Sequence, residues 1–190
     1  METTYDSATV RKAAVMNGLI WSFINIVLFL IVYYVKPDLM GSMWWGIFSF
    51  VLALVLAVYF SLDLRKKAGG FWSFKEALSM IFTMFIVSAL IVYLFTVVFG
   101  KFLEPNYVTT MKEITTNNTV KMFEKMGMDQ DAIDKATKDV EVKMEKQFNP
   151  GLSDLLISIG TMVIIYFVGA LIFAAIFKKQ RPYTVPVTEE

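Results

Sequence analysis

The chain has 190 residues, of which 56% are hydrophobic and 18% charged, whereas an ordinary soluble domain has about 45–50% apolar and about 25% charged residues. It contains neither His nor Cys, which excludes disulfides, metal sites built on imidazole or thiolate, and catalysis by a His or Cys side chain. The net charge of +1 gives no basis for nucleic-acid binding.

The apolar excess is concentrated in four stretches without Asp, Glu, Lys or Arg, at 13–35, 43–62, 77–100 and 155–177. Helices of these lengths rise roughly 30–36 Å, and the hydrocarbon core of a membrane is about 30 Å thick. A 190-residue soluble protein could not bury four such helices. The runs are continuous, unlike the alternating strands of a membrane barrel. The sequence therefore predicts an all-α polytopic membrane protein with four transmembrane helices.

The first run follows Arg11 and Lys12, as the apolar part of a signal peptide would. It is far longer than the usual stretch of about 7–15 residues, and no small-residue cleavage pattern follows it. We therefore expect a retained helix. Aromatic residues at the ends of the runs are typical of headgroup-level anchors. They are Tyr33, Tyr34, Trp44, Trp45 and Trp72.

The connection between the second and third runs carries a basic cluster at 65–67, followed by Gly69 and Gly70, which permit positive φ. Ser73, with Glu76 three residues later, fits a capping box that starts the third helix. The glycine pair does not match a phosphate-binding loop. We expect a structural role for this turn.

The basic residues predict the orientation of the chain. Lys and Arg near the ends of spans stay in the cytoplasm, and they cluster in the N-terminal tail, at 65–67 and at Lys178, Lys179 and Arg181. Both termini are therefore predicted to be cytoplasmic. The predicted location is the bacterial inner (cytoplasmic) membrane, with segment 101–153 outside.

Segment 101–153 reads as a helical hairpin. One helix is expected over 107–126, with Gly127 as its stop, and a second from a cap at Asp129 to about 147. Residues 149–151 end the second helix, and Ser153 can cap the fourth span. The predicted domains are 1–100 with the tail and spans one to three, 101–153 with the extracytoplasmic hairpin, and 154–190 with span four and a cytoplasmic tail.

A hairpin this small rarely builds its own core, so its apolar stripe must pack on something. The structural interpretation is that the two helices pack on each other. The functional interpretation is a binding surface, to which adaptable methionines are suited. The candidate partner-binding residues are Met122, Phe123, Met126, Met128, Ile133, Val140 and Met144.

The charge-free runs contain small and polar residues that let helices approach closely. The candidate helix-packing residues are Gly18, Ser22, Asn25, Gly46, Ala53, Ala57, Gly160 and Gly169. They fit either a compact bundle or a homo-oligomer. Asn25 lies in the middle of its run, where an amide should find a partner. We expect an interhelical hydrogen bond there, and the alternative is a contact with a substrate.

The chain resembles the small bacterial membrane family catalogued as domain of unknown function 4199, found chiefly in the Bacteroidota. The resemblance covers about residues 8–180, and it implies a bacterial inner-membrane protein without supplying an activity or a catalytic residue. The segments that carry it are Arg65-Lys66, Gly69-Gly70, Ser73-Phe74-Lys75-Glu76-Ala77, Met126-Gly127-Met128-Asp129 with Ile133, and Lys178-Lys179.

Two functions fit these features. The first is a non-enzymatic membrane subunit or scaffold that presents its hairpin to a membrane or extracytoplasmic protein or to a second copy. The second is a small oligomeric channel or transporter with a polar path along Ser22, Asn25, Thr83 and Ser88. An intramembrane enzyme is disfavoured, because a serine in these runs lacks an activating base. We expect no catalytic residue, cofactor or metal site.

Overall fold

The computed structural model describes residues 7–148 and 151–180, and this part of the chain is almost entirely helical. The predicted helix stop at 149–150 and Arg181 lie outside the described residues. No β-strand occurs within 7–148 or 151–180, so the prediction of an all-α fold is confirmed. The helices in chain order are α1 (Ser7–Val35), α2 (Met43–Lys67), α3 (Phe74–Val98), α4 (Tyr107–Lys125), α5 (Gln130–Phe148) and α6 (Leu152–Phe177).

Four helical segments, α1, α2, α3 with the π-helical turn Phe99–Leu103, and α6, are long and apolar enough to cross a membrane. Each contains one of the four charge-free runs. The helices continue past the runs into charged sequence, as α2 does to Lys67. The prediction of a multi-pass membrane protein with four spans is therefore supported by both length and composition.

The spans pack around α3, which contacts α1 and α6 extensively and α2 less, while α2 also contacts α1 and α6. Much of the apolar surface of α2 and α6 stays exposed, with Trp44 at 79% and Ile164 at 65%. Such surface suits contact with lipid rather than water. The end of the bundle that holds residues 68–73 is here called the turn side, and the opposite end, which holds α4 and α5, the hairpin side.

The turn side is locked by Trp72, which is only 2% exposed. Its indole N–H donates to the carbonyl of Phe177 at 2.8 Å, and its backbone exchanges two hydrogen bonds with Lys179. Trp72 therefore fastens the end of α6 to the start of α3 and is not an exposed anchor. The predicted capping box is present, because Ser73 and Glu76 bond each other's backbone N–H groups.

The hairpin follows the expected boundaries closely. Gly127 adopts a positive φ of 69° after α4, and the Asp129 side chain accepts a hydrogen bond from Ala132 N–H at the start of α5. The structure differs at α6, where Gly151 and not Ser153 holds the N-cap position. Asp154, three residues later, accepts the Gly151 N–H, so the helix can begin earlier than Ser153 alone would allow.

Candidate functional site: a hairpin tip and an intramembrane cleft

The base of the hairpin is fixed to the spans by an aromatic cluster. Tyr107, the first residue of α4, lies 5.3 Å from Phe99, 5.5 Å from Tyr33 and 5.7 Å from Phe29 between ring centroids. Tyr33 and Tyr107 are buried. Burial, with a smaller contribution from Tyr33, raises the pKa of Tyr107 to about 12. Tyr33 is thus part of an internal cluster, whereas Tyr34 beside it is exposed.

The loop between α1 and α2 also holds α4 in place. A Cβ on Gly41 would lie 2.6 Å from Asn118 Nδ2 and 3.0 Å from Ile114 Cγ2, so the loop backbone packs directly on α4. Asn118 donates a hydrogen bond to the Asp38 carbonyl at 3.4 Å. The hairpin therefore has a defined direction relative to the spans.

The candidate partner-binding residues divide into two groups. Ile133 is buried, Met144 packs against the aromatic cluster at the base, and Phe123 and Val140 are half-buried. Met122, Met126 and Met128 are 41%, 66% and 43% exposed. These three methionines surround the Gly127 turn and are here called the hairpin tip.

The candidate helix-packing residues also divide. A Cβ on Gly18 would lie 2.7 Å from the Met84 carbonyl oxygen, so α1 and α3 are in backbone contact there. A Cβ on Gly169 would lie 3.5 Å from Phe85 Cε2, which is an ordinary van der Waals contact. Ala57 is buried. By contrast, a Cβ on Gly46 or Gly160 would meet nothing within 4 Å among the described residues.

A cleft of about 560 Å³ lies between the spans. Small side chains at Ala53, Ala57 and Ala89, together with Gly169, leave the space, and the aromatic rings of Trp21, Phe85 and Phe173 form one end of it. The cleft is not enclosed, since Phe50 and Ile165 in its lining are 65% and 62% exposed. It extends towards the hairpin side, where Thr96 and Gln147 line it.

Asn25 lines this cleft and makes no hydrogen bond with any described residue. The interhelical bond predicted for it is made by Asn17 instead, which donates to Asp63 Oδ2 at 2.8 Å. Lys67 Nζ lies 2.6 Å from the same oxygen. Sequence reasoning missed this pair because Asp63 lies just beyond the charge-free run of α2.

The remaining polar residues of the spans differ in their partners. Ser22 donates to the Leu19 carbonyl and Thr83 to the Ser79 carbonyl, each within its own helix. Neither hydroxyl hydrogen is therefore available to a solute in the polar path predicted for a channel. Ser88 and Trp21, which are 6% and 8% exposed, line the cleft, and neither the Ser88 hydroxyl nor the Trp21 indole N–H makes a hydrogen bond within the described residues. Trp21 was not foreseen, because nothing in the sequence of this long apolar helix distinguishes it from the other aromatic residues there.

Comparison with known proteins places these features in a family. The model of the family described as "Protein of unknown function (DUF4199)" matches residues 16–179, which include most of the first span, the other three spans and the hairpin. No curated protein and no solved structure matches the chain. Because the match extends over far more than half of the sequence, the chain belongs to the DUF4199 family.

Proposed function

We propose that the protein is a non-enzymatic subunit or scaffold of the bacterial inner membrane that presents its hairpin tip to a membrane or extracytoplasmic protein, or to a second copy of itself. Both termini are cytoplasmic in this proposal, and the hairpin lies outside. The observation that carries it is the exposure of Met122, Met126 and Met128 on a hairpin whose base is firmly packed.

The contrast between base and tip supports this function. A hairpin that served only to connect α3 to α6 would need no exposed apolar end, whereas the residues that pack it, such as Ile133 and Met144, already lie inward. Met side chains adapt to differently shaped partners, which suits a contact surface. The packed base fixes where the tip lies relative to the spans, so a partner meets it in one orientation.

The chemistry of the spans supports a non-enzymatic role. The charge-free runs offer no His, Lys or carboxylate to activate a hydroxyl nucleophile. The carboxylate of Asp63, at the end of α2, already accepts hydrogen bonds from Asn17 and Lys67. Its role is to join α1 to α2.

Site-specific photo-crosslinking tests the role of the tip. A photoreactive amino acid at Met126 is expected to crosslink to one defined protein or to a second copy, and the native complex should become smaller in a variant with Met122, Met126 and Met128 all changed to Gln. Lys138, exposed on α5 away from the tip, is the control position for the crosslinker.

The result that contradicts the proposal is equally concrete. If Met126 and Lys138 crosslink alike, and the triple Gln variant keeps the native size of the complex, the tip is not a binding surface. A purified protein that stays monomeric and free of partners in mild detergent would count against the scaffold itself.

A small oligomeric channel or transporter is the second candidate, and the cleft favours it. Asn25 and Ser88 line the cleft and are available to a solute. Ser22 and Thr83, the other members of the predicted path, bond within their own helices, so a pore would need polar groups from a second copy. Flux through liposomes that contain the purified protein tests this; solute flux that falls in Asn25→Leu would support it.

A further inference from the structure

The cleft between the spans carries polar side chains at the depth of the membrane centre. Asn25, Ala53, Ser88 and Tyr166 lie at or next to the midpoints of the four charge-free runs, and all four line the cleft. Its deepest polar groups are therefore at the level where a lipid bilayer is most apolar. An unsatisfied polar group at that level costs free energy.

Several polar side chains that line this space can donate a hydrogen bond to a ligand, although the Ser88 hydroxyl and the Asn25 amide can also accept one. Trp21 offers one N–H, Ser88 one O–H and Asn25 two N–H hydrogens, and none of these side chains bonds to a described residue. Trp21 and Asn25 are four residues apart on α1, so they lie on the same face of the helix. The tail of an ordinary phospholipid has no acceptor to offer at this depth.

The shape of the cleft indicates which kind of ligand would fit beside these hydrogen-bond donors. The rings of Trp21 and Phe85 are 5.5 Å apart and perpendicular, and Phe85 and Phe173 are 5.7 Å apart, which makes an aromatic end beside the donors. Aromatic walls of this kind suit a flat ring. A volume of about 560 Å³ lies in the usual range of about 300–1,000 Å³ for small-molecule sites.

We propose that the cleft is a binding site for a lipid-soluble molecule whose flat ring carries carbonyl oxygens, with the ring against Trp21, Phe85 and Phe173 and an oxygen near Asn25 and Ser88. An apolar tail would leave past the exposed rim residues Phe50 and Ile165 into the lipid. This site is independent of the hairpin tip, so either proposal can fail without the other.

A tailed quinone provides a direct test. A decyl-substituted benzoquinone is titrated into the purified full chain in detergent, in a background with Trp44→Phe and Trp45→Phe that keeps Trp21 and the buried Trp72. Quenching of the tryptophan fluorescence is followed, and the Trp21→Phe variant gives the contribution of Trp72. We expect saturable quenching that is absent in Trp21→Phe. Ser88→Ala and Asn25→Leu should each weaken binding roughly three- to tenfold, the worth of one hydrogen bond.

Matched variants separate this site from general partition into the detergent. Ser158→Ala removes a hydroxyl from an exposed position of α6 outside the cleft and should leave binding unchanged. Ala53→Phe fills the cleft and should abolish binding. Gly169→Val is the second filling variant, in case Ala53→Phe does not fold, because a Cβ there meets only ordinary contact with Phe85.

Three results would overturn the proposal. Affinity that is unchanged in both Ser88→Ala and Asn25→Leu would mean that the donors do not bind the ligand. Equal competition by decylbenzene, which has no oxygen, would identify a plain apolar groove. A dimer in native mass spectrometry that Ala53→Phe dissociates would show that a second copy fills the cleft.

Discussion

Gly18 shows how a single hydrogen in place of a methyl group sets the distance between two spans. A Cβ at this position would lie 2.7 Å from the Met84 carbonyl oxygen and 3.0 Å from the Val87 side chain. Gly18→Ala is therefore expected to push α1 away from α3 and to lower the free energy of unfolding by about 1–3 kcal/mol, the usual cost of overpacking. Thermal unfolding in mild detergent measures this.

Gly46 supplies the control for that experiment. It is also a helical glycine in a span, but a Cβ added there would meet nothing within 4 Å among the described residues. Gly46→Ala should therefore not lower the free energy of unfolding and is expected to raise it by up to about 1 kcal/mol through the higher helix propensity of Ala. Equal losses in the two variants would mean that the close contact at Gly18 does not stabilise the bundle.

Tyr107 gives the hairpin base a dependence on pH. Its pKa is raised to about 12 in the folded protein from an ordinary value of about 10, so the neutral phenol stabilises the folded state fully below pH 10 and this stabilisation is lost as the pH rises to 12. The unfolding temperature of the wild-type protein should therefore fall more steeply between pH 10 and 12 than that of Tyr107→Phe.

The ultraviolet absorbance of phenolate locates this titration. The difference between the wild-type and Tyr107→Phe titrations should be centred near pH 12. A difference centred near pH 10 would show that Tyr107 is exposed to water and that the aromatic cluster does not hold the hairpin base.

Which glycines contact a neighbouring helix could not be predicted from the sequence. Gly18, Gly46 and Gly160 satisfy the same criterion in the sequence, a small residue in an apolar run, yet only Gly18 of these three meets a neighbouring helix among the described residues. The difference depends on how far each helix is rotated about its axis and on which helix it faces. Neither quantity is written in the local sequence of a span that is apolar on all sides.

At the scale of whole elements, local signals predicted most of the local structure, and the exception is the start of α6, where Gly151 and not Ser153 is the N-cap. The Ser73–Glu76 capping box, the Gly127 turn and the Asp129 cap join atoms a few residues apart, and all three are confirmed. The aromatic cluster at Tyr107 was not predicted, because it joins residues from α1, the π-helical turn and α4 that are far apart in the chain.

Trp72 determines how firmly α6 is attached at the turn side. The change Trp72→Phe keeps a ring in the buried site but removes the N–H that donates to the Phe177 carbonyl. We expect the free energy of unfolding to fall by about 1–3 kcal/mol, because a carbonyl at the end of α6 loses its partner. Urea or thermal unfolding in mild detergent measures the loss.

Trp44→Phe is the matched control, since Trp44 is 79% exposed and should contribute little to stability. If Trp72→Phe were as stable as Trp44→Phe, the indole hydrogen bond to Phe177 would be dispensable, and α6 would be attached by its packing and by the backbone hydrogen bonds between residues 72 and 179.

For the whole molecule, hydropathy predicted the number of spans, but the cleft could not be foreseen. A continuous apolar run says that a helix crosses the membrane and nothing about the gaps between helices. The space arises only where Ala53, Ala89 and Gly169 from three different helices meet. Asn25 and Ser88 were recognised as polar, but their exposure to one shared cleft depends on that assembly.

The orientation of the molecule rests on its charge distribution, and the absence of Cys makes it simple to test. Lys66 on the turn side and Lys135 on α5 are both exposed, so a Cys at either position can react. The basic cluster at 65–67 is expected to remain in the cytoplasm. An impermeant thiol reagent should therefore label Lys135→Cys in intact spheroplasts and label Lys66→Cys only after the membrane is opened, and the reverse pattern would place the hairpin in the cytoplasm.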